Sequence, residues 1–450
     1  MQSASKWIFF LAVIILLGGC KKDPDFAAPP VTHGLSDARQ YDAAAAIEWM
    51  NEFRHIVTVL GANPPRAARI YAYAGITLYE SVADGISGNN SLQGQLNGWS
   101  LYSIPENKDS LDYIIVLNEA LASVAQCDTI IPTLSVSLKN EVNGLHDAIL
   151  NERKQTVADS IVLKSIARGQ VVAAAIKAYA ATDNFQTVRN LPLYAVPARD
   201  AAHPWYWEPT DGAHLNPVEP YWGQIRPFVL SSADEMEQAP AVAFDEDTAS
   251  AFGRQAGEVL LTVENKTVEQ DRIVVWWRDQ SNTQTPSGHW VGILQYIIHQ
   301  KGYRLDKAAE LYALVGITTA DAFISCWDAK YTYNLLRPET YIRAYMKPSW
   351  TTGQGSDITP PFPEYPSGHS VCSGAAAQAL TDFLGTVAFT DSTNTGLGYP
   401  PRSFVSFEAA AEEAAMSRLY GGIHYRDAIE NGLLQGKKIA QKVKENIHFR

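Results

Sequence analysis

Cysteine is scarce in this chain of 450 residues: four are present, and no two of them stand in a CxxC or zinc-type spacing. A disulfide scaffold and a structural zinc site are therefore excluded, and Cys127, Cys326 and Cys372 are expected to be small buried apolar residues. The chain also lacks GxGxxG, P-loop, HExxH and haem-attachment motifs. The sequence therefore offers no binding motif for nicotinamide cofactors, nucleotides, zinc or c-type haem.

Positive charge is in deficit as well, with a net charge of −12 at pH 7. This excludes nucleic acid as a partner, because phosphate binding needs a basic face. The composition, 46% hydrophobic and 19% charged, is that of a folded protein. Against this acidic background, a local cluster of Lys and Arg stands out.

Long hydrophobic runs are rare, and the N-terminal run from Trp7 to Leu17 is too short for a comfortable membrane span. Residues 1–20 read as an export signal, and its end, LLGGC, resembles the lipobox of bacterial lipoproteins. Cys20 would then be the lipidated first residue, followed by a flexible tether at 21–35. The sequence thus predicts an exported lipoprotein anchored to the outer membrane only by its N-terminal lipid. An ordinary signal peptide with a chance cysteine is the alternative.

Alternating strand patterns are also scarce, and most of the chain follows helical spacing. Residues 36–183 are predicted to form one helical bundle and residues 246–450 a second one, which holds the candidate site. The stretch 184–245 between them has eight prolines and no clean period. We interpret it as an ordered crossover that lies over a surface or a pocket mouth. The predicted fold class is therefore mostly α, with two helical bundles.

The segment AKYTYNLLRPETY carries two cations seven residues apart, Lys330 and Arg337. Seven residues are almost two helical turns, so the sequence predicts both side chains on one helical face, roughly 10 Å apart along the axis. Their long side chains can then converge on one ligand. Trp327 and Leu336 indicate an apolar setting, and Pro338 is expected to end or kink the helix after Arg337.

A second segment, YPSGHSVCSG, is predicted to open a helix. Ser367 is a natural N-cap, and the N–H groups of Gly368 and His369 point out of a helix start, where the dipole favours an anion. The same tetrapeptide, PSGH, also occurs at 286–289. No matching Lys, Arg and second His surround that copy, so we expect His289 to cap the following helix. The alternative is that His289 lines the pocket.

A third segment, SRLYGGIHYRD, supplies Arg418 and, after a Gly-Gly helix stop, His424. Asp427 follows one turn beyond, on a side where it can hold the orientation of the imidazole. The three segments together supply fixed cations, hydroxyl and backbone donors, and two histidines. Such a set suits a tetrahedral or trigonal-bipyramidal oxyanion, with one His attacking or ligating the central atom and the other moving protons.

These three motifs resemble the signature of the vanadium-dependent haloperoxidase and type-2 phosphatidic acid phosphatase superfamily. They are Lys-x6-Arg-Pro at 330–338, Pro-Ser-Gly-His at 366–369 and Ser-Arg-x5-His at 417–424, in family order over about 100 residues. The resemblance implies the all-helical fold of the soluble haloperoxidases and acid phosphatases.

Carried over residue by residue, the resemblance implies an oxyanion site whose binding groups are Lys330, Arg337, Ser367, Gly368 and Arg418. His424 would be the vanadate ligand, or the phosphoryl-accepting nucleophile of a phosphatase, and His369 the acid–base group on the opposite side. The family's acidic residue commonly stands four positions after the last His, whereas Asp427 stands three after. Vanadate is the implied cofactor, and phosphate would fit the same site.

The signature alone does not separate the two chemistries, because vanadate and phosphate share charge and geometry. We favour a haloperoxidase that uses hydrogen peroxide, a halide and a small organic acceptor, with Lys330 polarising the bound peroxide. The large helical N-terminal half and the lack of several membrane spans support this choice. Trp327 and Phe362 stand where similar haloperoxidases place halide-side aromatics; core packing is the other interpretation. The alternatives are an exported acid phosphatase that hydrolyses a phosphomonoester through a phosphohistidine, and a non-catalytic binding lipoprotein.

Overall fold

Helices dominate the structure. The computed structural model describes residues 37–99, 104–105, 110–210, 216–280, 282–354 and 359–450. Within these ranges the chain forms fourteen α-helices, several short 3-10 turns and one sheet of two short strands. The prediction of a mostly α fold is confirmed. The predicted signal sequence, Cys20 and the tether at 21–35 lie outside the described residues.

The helices fall on both sides of the crossover, except for one helix of five residues at the start of the crossover itself. The first six are α1 (Ala44–Val59), α2 (Pro64–Val82), α3 (Tyr113–Ala125), α4 (Val136–Lys154), α5 (Asp159–Ala180) and α6 (Phe185–Arg189). The others are α7 (Ala251–Glu264), α8 (Val268–Trp276), α9 (Thr285–Lys301), α10 (Leu305–Tyr333), α11 (Pro338–Tyr345), α12 (Gly368–Leu384), α13 (Phe407–Tyr420) and α14 (Arg426–Asn446). Strands β1 (Phe389–Asp391) and β2 (Arg402–Phe404) pair antiparallel, with Phe389 opposite Phe404.

Helix starts follow from local chemistry. Asn63 caps α2, since its side chain accepts the N–H of Arg66, and Pro64 occupies the first helical position, where no N–H is needed. Helix α8 has a complete capping box made by Thr267 and Gln270. This helix has only nine residues, and the apolar periodicity of the sequence did not predict it.

Helices α2 and α10 form the centre of the fold, and glycines let them touch. A Cβ on Gly75 would lie 2.5 Å from the carbonyl oxygen of Tyr312, and one on Gly316 would lie 2.7 Å from that of Tyr71. A larger residue at either position would have to move a backbone, so these glycines set the distance between the two helices. Helix α10 is long and apolar enough to cross a membrane, yet its most apolar stretch of 18 residues is buried inside the protein.

Helix α10 is shorter than predicted. It ends at Tyr333, because Asn334 takes a left-handed conformation with φ 46°. The next three residues are not helical, and Pro338 begins α11 instead of ending the preceding helix. The break is held from outside, since the N–H of Trp207 donates to the carbonyl of Asn334 at 2.8 Å. The prediction of a single helix through Arg337 is therefore wrong.

The described part of the crossover at 184–245 is ordered by hydrogen bonds to the second half of the chain. Asp321 of α10 accepts the backbone N–H groups of residues 228–230 at 2.6, 2.8 and 3.1 Å. The N–H of Val218 donates to the carbonyl of Pro361 at 3.0 Å. The crossover thus lies against the loop that leads into the Pro-Ser-Gly-His segment.

The described residues on both sides of the crossover belong to one compact unit and share one hydrophobic core. A smaller core cluster, which includes Phe252, Tyr341 and Tyr425, packs beside it. The core is continuous because α2 precedes the crossover and α10 follows it. A division at residues 183 and 246 stays a prediction.

Candidate active site

The three predicted segments meet at one buried place. They are the end of α10 with its following turn, the loop before α12, and the end of α13 with the turn that carries His424. Burial lowers the pKa of His424 well below its usual range, and four neighbouring groups lower it further: Arg337, Lys330, Arg418 and His369. All four groups therefore lie close enough to this imidazole to disfavour its protonation.

Lys330 is fully buried and reaches the loop before α12. Its Nζ donates to the backbone carbonyls of Pro363 at 3.0 Å, Glu364 at 2.9 Å and Pro366 at 2.5 Å. All three protons of the ammonium group are thus engaged. Burial lowers the pKa of Lys330 to about 7. Lys330 therefore shapes the loop and adds charge to the site at the same time.

Arg337 reaches the site by a route that differs from the prediction. It does not share a helical face with Lys330, because it stands after the break, as the N-cap residue of α11. Its Nε donates to the carbonyl of Phe362 at 3.0 Å, and its Nη1 to the carbonyl of Ile423 at 2.9 Å. Its buried Nη2 has no partner among the described residues. Burial lowers the pKa of Arg337 to about 10.

The tautomer of His424 follows from its two neighbours. Nη1 of Arg337 lies 3.2 Å from Nε2 of His424, and a guanidinium only donates, so Nε2 carries the lone pair and Nδ1 the proton. Nδ1–H donates at 2.8 Å to Oε1 of Glu364, which also accepts the N–H of Tyr425 at 2.9 Å. Burial raises the pKa of Glu364 to about 8, while Arg337 and Lys330 act to lower it. His424 is thus a neutral imidazole whose Nε2 is available as a ligand or a nucleophile.

Asp427 has another role than the predicted one. Its Oδ2 accepts the N–H of Ala241 at 2.9 Å and of Val242 at 3.4 Å, and its Oδ1 accepts from Nδ2 of Asn431 at 2.8 Å. Asp427 lies in the first turn of α14, where its carboxylate faces the crossover. The orienting partner of His424 is Glu364, so the prediction for Asp427 is wrong.

Arg418 and His369 lie against the backbone that follows α8. Nη1 of Arg418 donates to the carbonyl of Trp277 at 2.9 Å, and its buried Nε has no partner among the described residues. Burial lowers the pKa of Arg418 to about 9. Burial, helped by the charge of Arg418, also holds the pKa of His369 well below its usual range. The Nε2 of this neutral imidazole is buried and unpaired in the described structure, which suits proton transfer.

The start of α12 brings backbone N–H groups to the same place. Ser367 is the N-cap, and its Oγ accepts the N–H of Ser370 at 3.4 Å. A Cβ on Gly368 would lie 3.3 Å from Cζ3 of Trp327, so only glycine lets this helix start against the ring without pushing it. The helix start therefore places its free N–H groups and positive dipole end close to the ring of Trp327.

The two predicted pocket aromatics touch the cations. The rings of Trp327 and Phe362 have centroids 5.0 Å apart. The Phe362 centroid lies 5.1 Å from Nζ of Lys330 and 5.0 Å from Cζ of Arg337. Nε1 of Trp327 donates to the carbonyl of Val218 at 3.0 Å. Phe362 therefore packs between two buried charges and stabilises them through its ring face.

Unpaired polar atoms collect at this site and show what it is built to hold. The buried atoms of the site residues that have no partner in the described structure include three nitrogens, Nη2 of Arg337, Nε of Arg418 and Nε2 of His369, and one carboxyl oxygen, Oε2 of Glu364. Buried polar donors without partners are costly, and so is the burial of Lys330, Arg337 and Arg418 so close together when no bound anion offsets their charge. An oxyanion would relieve both costs, and Nε2 of His424 would reach its central atom. The residues present thus fit vanadate, or phosphate.

The first Pro-Ser-Gly-His copy is built differently. His289 lies inside α9, which begins at Thr285, so the prediction that it caps this helix is wrong. It is fully buried and contacts the carboxylates of Asp279 and Asp391. Gly288 packs α9 against Tyr71, because a Cβ there would lie on the tyrosine hydroxyl. This copy therefore serves packing and charge pairing and does not form a second oxyanion site.

Two participants were missed by sequence reasoning. Glu364 lies 60 residues before His424, and no spacing rule connects them. The backbone carbonyl of Trp277 accepts a hydrogen bond from Arg418. The identity of the Trp277 side chain gives no sign of this contact. The one available signal was the acidic residue in PEYPSGH, three positions before Ser367.

The fold and the site together define an oxyanion-binding enzyme class. A mostly helical frame holds three buried cations, a helix start and a histidine oriented by Glu364. A family model for the VCPO second helical-bundle domain matches residues 310–449, which contain all three motifs.

The chain is 35% identical to a solved structure described as the first bacterial vanadium-dependent iodoperoxidase. The similarity covers 90% of this chain and 96% of that one, with a TM-score of 0.81. The chain therefore belongs to the vanadium-dependent haloperoxidase family, within the superfamily that includes the type-2 phosphatidic acid phosphatases.

More distant relatives agree with this placement. A holo-type bacterial vanadium-dependent chloroperoxidase is 16% identical, with 93% of this chain and 96% of that one covered and a TM-score of 0.63, and so shares the fold. The vanadium chloroperoxidase of Curvularia inaequalis is 28% identical over 176 residues. That match covers 34% of this chain and 28% of the relative, less than a third of its length.

Proposed function

We propose that the protein is a vanadate-dependent haloperoxidase that oxidises a halide with hydrogen peroxide. The observation that carries the proposal is the state of His424, whose Nδ1–H is held by Glu364 while Nε2 keeps its lone pair beside Arg337. Vanadate bound at this histidine would supply a Lewis-acidic centre that activates peroxide.

The cations hold the oxyanion in this proposal. Nη2 of Arg337 and Nε of Arg418 are the unpaired donors that take its oxygens, together with the N–H groups at the start of α12. Lys330 acts through its charge and by fixing the loop, because its three protons are engaged with backbone carbonyls. In this proposal the two arginines contact the oxyanion, whereas Lys330 contributes positive charge to the site.

His369 moves protons. Its imidazole is neutral at pH 7 because burial and Arg418 disfavour the charged form, and its Nε2 is unpaired in the described structure. We expect this nitrogen to accept a proton from hydrogen peroxide as it enters, and to return it when the oxidised halide leaves. A permanently charged histidine would be unable to perform the first step.

Iodide is the first halide to test. The 35% identical protein is described as an iodoperoxidase, and iodide is the most easily oxidised of the common halides. Trp327 and Phe362 form the aromatic wall beside the cations where a halide would approach. The acceptor of the oxidised halide would be a small electron-rich organic molecule.

Two parallel assays with the purified full chain, with vanadate titrated into each, test the proposal. One follows iodide oxidation and bromination of an activated diketone with peroxide, and the other follows hydrolysis of an aryl phosphate. We expect halide oxidation that saturates with vanadate, and phosphate-ester hydrolysis that vanadate inhibits.

The two alternatives give different results. Hydrolysis without halide oxidation at any vanadate concentration would overturn the proposal in favour of an acid phosphatase, in which Nε2 of His424 accepts the phosphoryl group. Vanadate binding without turnover of either substrate would point to a binding lipoprotein.

We also propose that the protein is exported and anchored to the outer membrane through a lipid on Cys20. The support is the N-terminal sequence alone, with its apolar run and LLGGC. Fractionation of cells that produce the wild type and Cys20→Ser tests it. We expect the variant to leave the membrane fraction, and an unchanged distribution would contradict the lipid anchor.

A further inference from the structure

A third histidine lies behind the oxyanion-binding groups, outside the family signature. His289 is fully buried, with Nδ1 2.8 Å from Oδ2 of Asp279 and Nε2 2.8 Å from Oδ2 of Asp391. Because a carboxylate accepts at each nitrogen, both nitrogens carry protons and the ring is an imidazolium. Burial by itself would lower the pKa of His289, but the charges of Asp279 and Asp391 outweigh it and raise the pKa to about 10.

This imidazolium fastens the chain just after α8. The ring of Trp277 stacks on His289 with centroids 4.4 Å apart and planes 21° from parallel. Nε1 of Trp276 donates to Oδ2 of Asp391 at 2.9 Å, the same oxygen that holds His289. With Asp279 bound to the other nitrogen, the segment 276–279 is tied to His289 at three points.

The tied segment reaches the oxyanion site through Arg418. The carbonyl of Trp277 accepts Nη1 of Arg418 at 2.9 Å, which leaves Nε of that guanidinium for the anion. Asp279 and Asp391 together carry one negative charge more than His289 balances, and the charge of Asp279 acts on Arg418 to favour its charged form. The charge of His289 also acts on His369 and disfavours protonation there.

We propose that His289 is a positioning residue of the oxyanion site, which acts through Trp277 and Asp279 to hold Arg418 in its anion-binding orientation. His289 is fully buried and both its nitrogens are paired with carboxylates, so the proposed role is positioning and not catalysis. This role rests on the oxyanion site described above but not on halide oxidation, because it concerns the binding of the anion alone.

Anion affinity of His289→Gln, measured beside a matched control, tests the role. Glutamine keeps hydrogen-bonding groups but loses the charge and the stacking ring. The control is His299→Gln on the exposed end of the same helix. Binding of orthovanadate and of inorganic phosphate to the full chain is measured by titration calorimetry, with thermal melting to confirm folding. We expect both affinities to fall about 10- to 100-fold in His289→Gln and to stay unchanged in His299→Gln.

Two further measurements cover the case in which His289→Gln does not fold. Asp391→Asn is milder, since it keeps the shape and the bond from Trp276, and we expect it to weaken anion binding in the same direction. Selective ¹⁵N-histidine labelling of the wild type should show one imidazole with both nitrogens protonated at pH values well above the usual range for histidine. Wild-type affinity in a folded His289→Gln or Asp391→Asn protein, or ordinary titration of His289, would overturn the proposal. A protein that binds phosphate but oxidises no halide would contradict the proposed haloperoxidase activity. It would leave the positioning role of His289 unaffected.

Discussion

Glu364 and His424 meet across 2.8 Å although 60 residues separate them in sequence. The carboxylate of Glu364 accepts a hydrogen bond from Nδ1–H of His424, and its backbone carbonyl accepts one from Nζ of Lys330 at 2.9 Å. One residue therefore fixes both the tautomer of the candidate ligand histidine and the position of a buried cation. Supporting residues of this kind tune a site without touching its ligand.

Glu364→Gln should weaken vanadate binding about 10- to 100-fold, since the amide accepts a weaker hydrogen bond than the carboxylate that it replaces beside the imidazole. The measurement is calorimetric titration of orthovanadate into the full chain. Asp427→Asn is the matched control, because its carboxylate faces Ala241 and Val242. A greater loss in Asp427→Asn than in Glu364→Gln would contradict the assignment of the orienting residue.

His424→Ala should abolish turnover and lower vanadate affinity beyond the about 100-fold that loss of a supporting partner causes, since the bond to the anion itself is lost. Phosphate should still bind weakly through Arg337 and Arg418, which keep their unpaired donors. His448→Ala removes an exposed histidine near the C-terminus and serves as the control. Unchanged vanadate binding in His424→Ala would remove the basis of the proposed enzyme.

The lowered pKa of Lys330 predicts that stability depends on pH, and it also sets the direction of this dependence. Its pKa in the folded chain is about 7, against a usual value of 10.5. Between these values the unfolded chain holds a proton that the folded chain lacks. The contribution of Lys330 to the free energy of unfolding must therefore rise with pH from about 7 to about 10.

Urea unfolding of the wild type and Lys330→Met over a pH series measures this contribution as a difference. We expect the wild type to gain on the variant as pH rises through that window. Saturating sulfate should flatten the trend, because a bound anion keeps the ammonium group charged. Lys301→Met, at the exposed end of α9, should show no such rise. A wild-type advantage that does not rise with pH would mean that Lys330 stays charged in the folded protein.

Alanine substitutions at two glycines of α12 should have different effects, one mainly on activity and the other mainly on stability. A Cβ on Gly368 would meet a ring atom of Trp327 at 3.3 Å, so Gly368→Ala should fold but displace the aromatic wall and lower kcat/KM by up to about 100-fold. A Cβ on Gly374 would meet the backbone oxygen of Leu433 at 2.6 Å. Gly374→Ala should therefore cost about 1–3 kcal/mol of stability by pushing α14 away. Thermal melting and steady-state kinetics compare the two, and equal effects on both readouts would contradict the distinction.

The helical class of the fold could be predicted from the sequence, because apolar residues recur at helical spacing and caps such as Asn63 are local signals. The core that both halves share could not be predicted from the sequence, since the close approach of α2 and α10 at Gly75 and Gly316 pairs residues more than two hundred positions apart. The break at Asn334 was missed for the same reason. A hydrogen bond from Trp207 in the distant crossover holds that break.

The two Pro-Ser-Gly-His copies show the limit of local sequence. In the second copy Ser367 is the cap and the helix begins at Gly368, whereas in the first copy all four residues lie inside α9. The sequence by itself determined the cations, the two histidines and their order along the chain, because the three motifs are contiguous. Only the tertiary structure decided that Glu364 orients His424 and that His289 pairs with two carboxylates, since these contacts depend on how distant segments pack together.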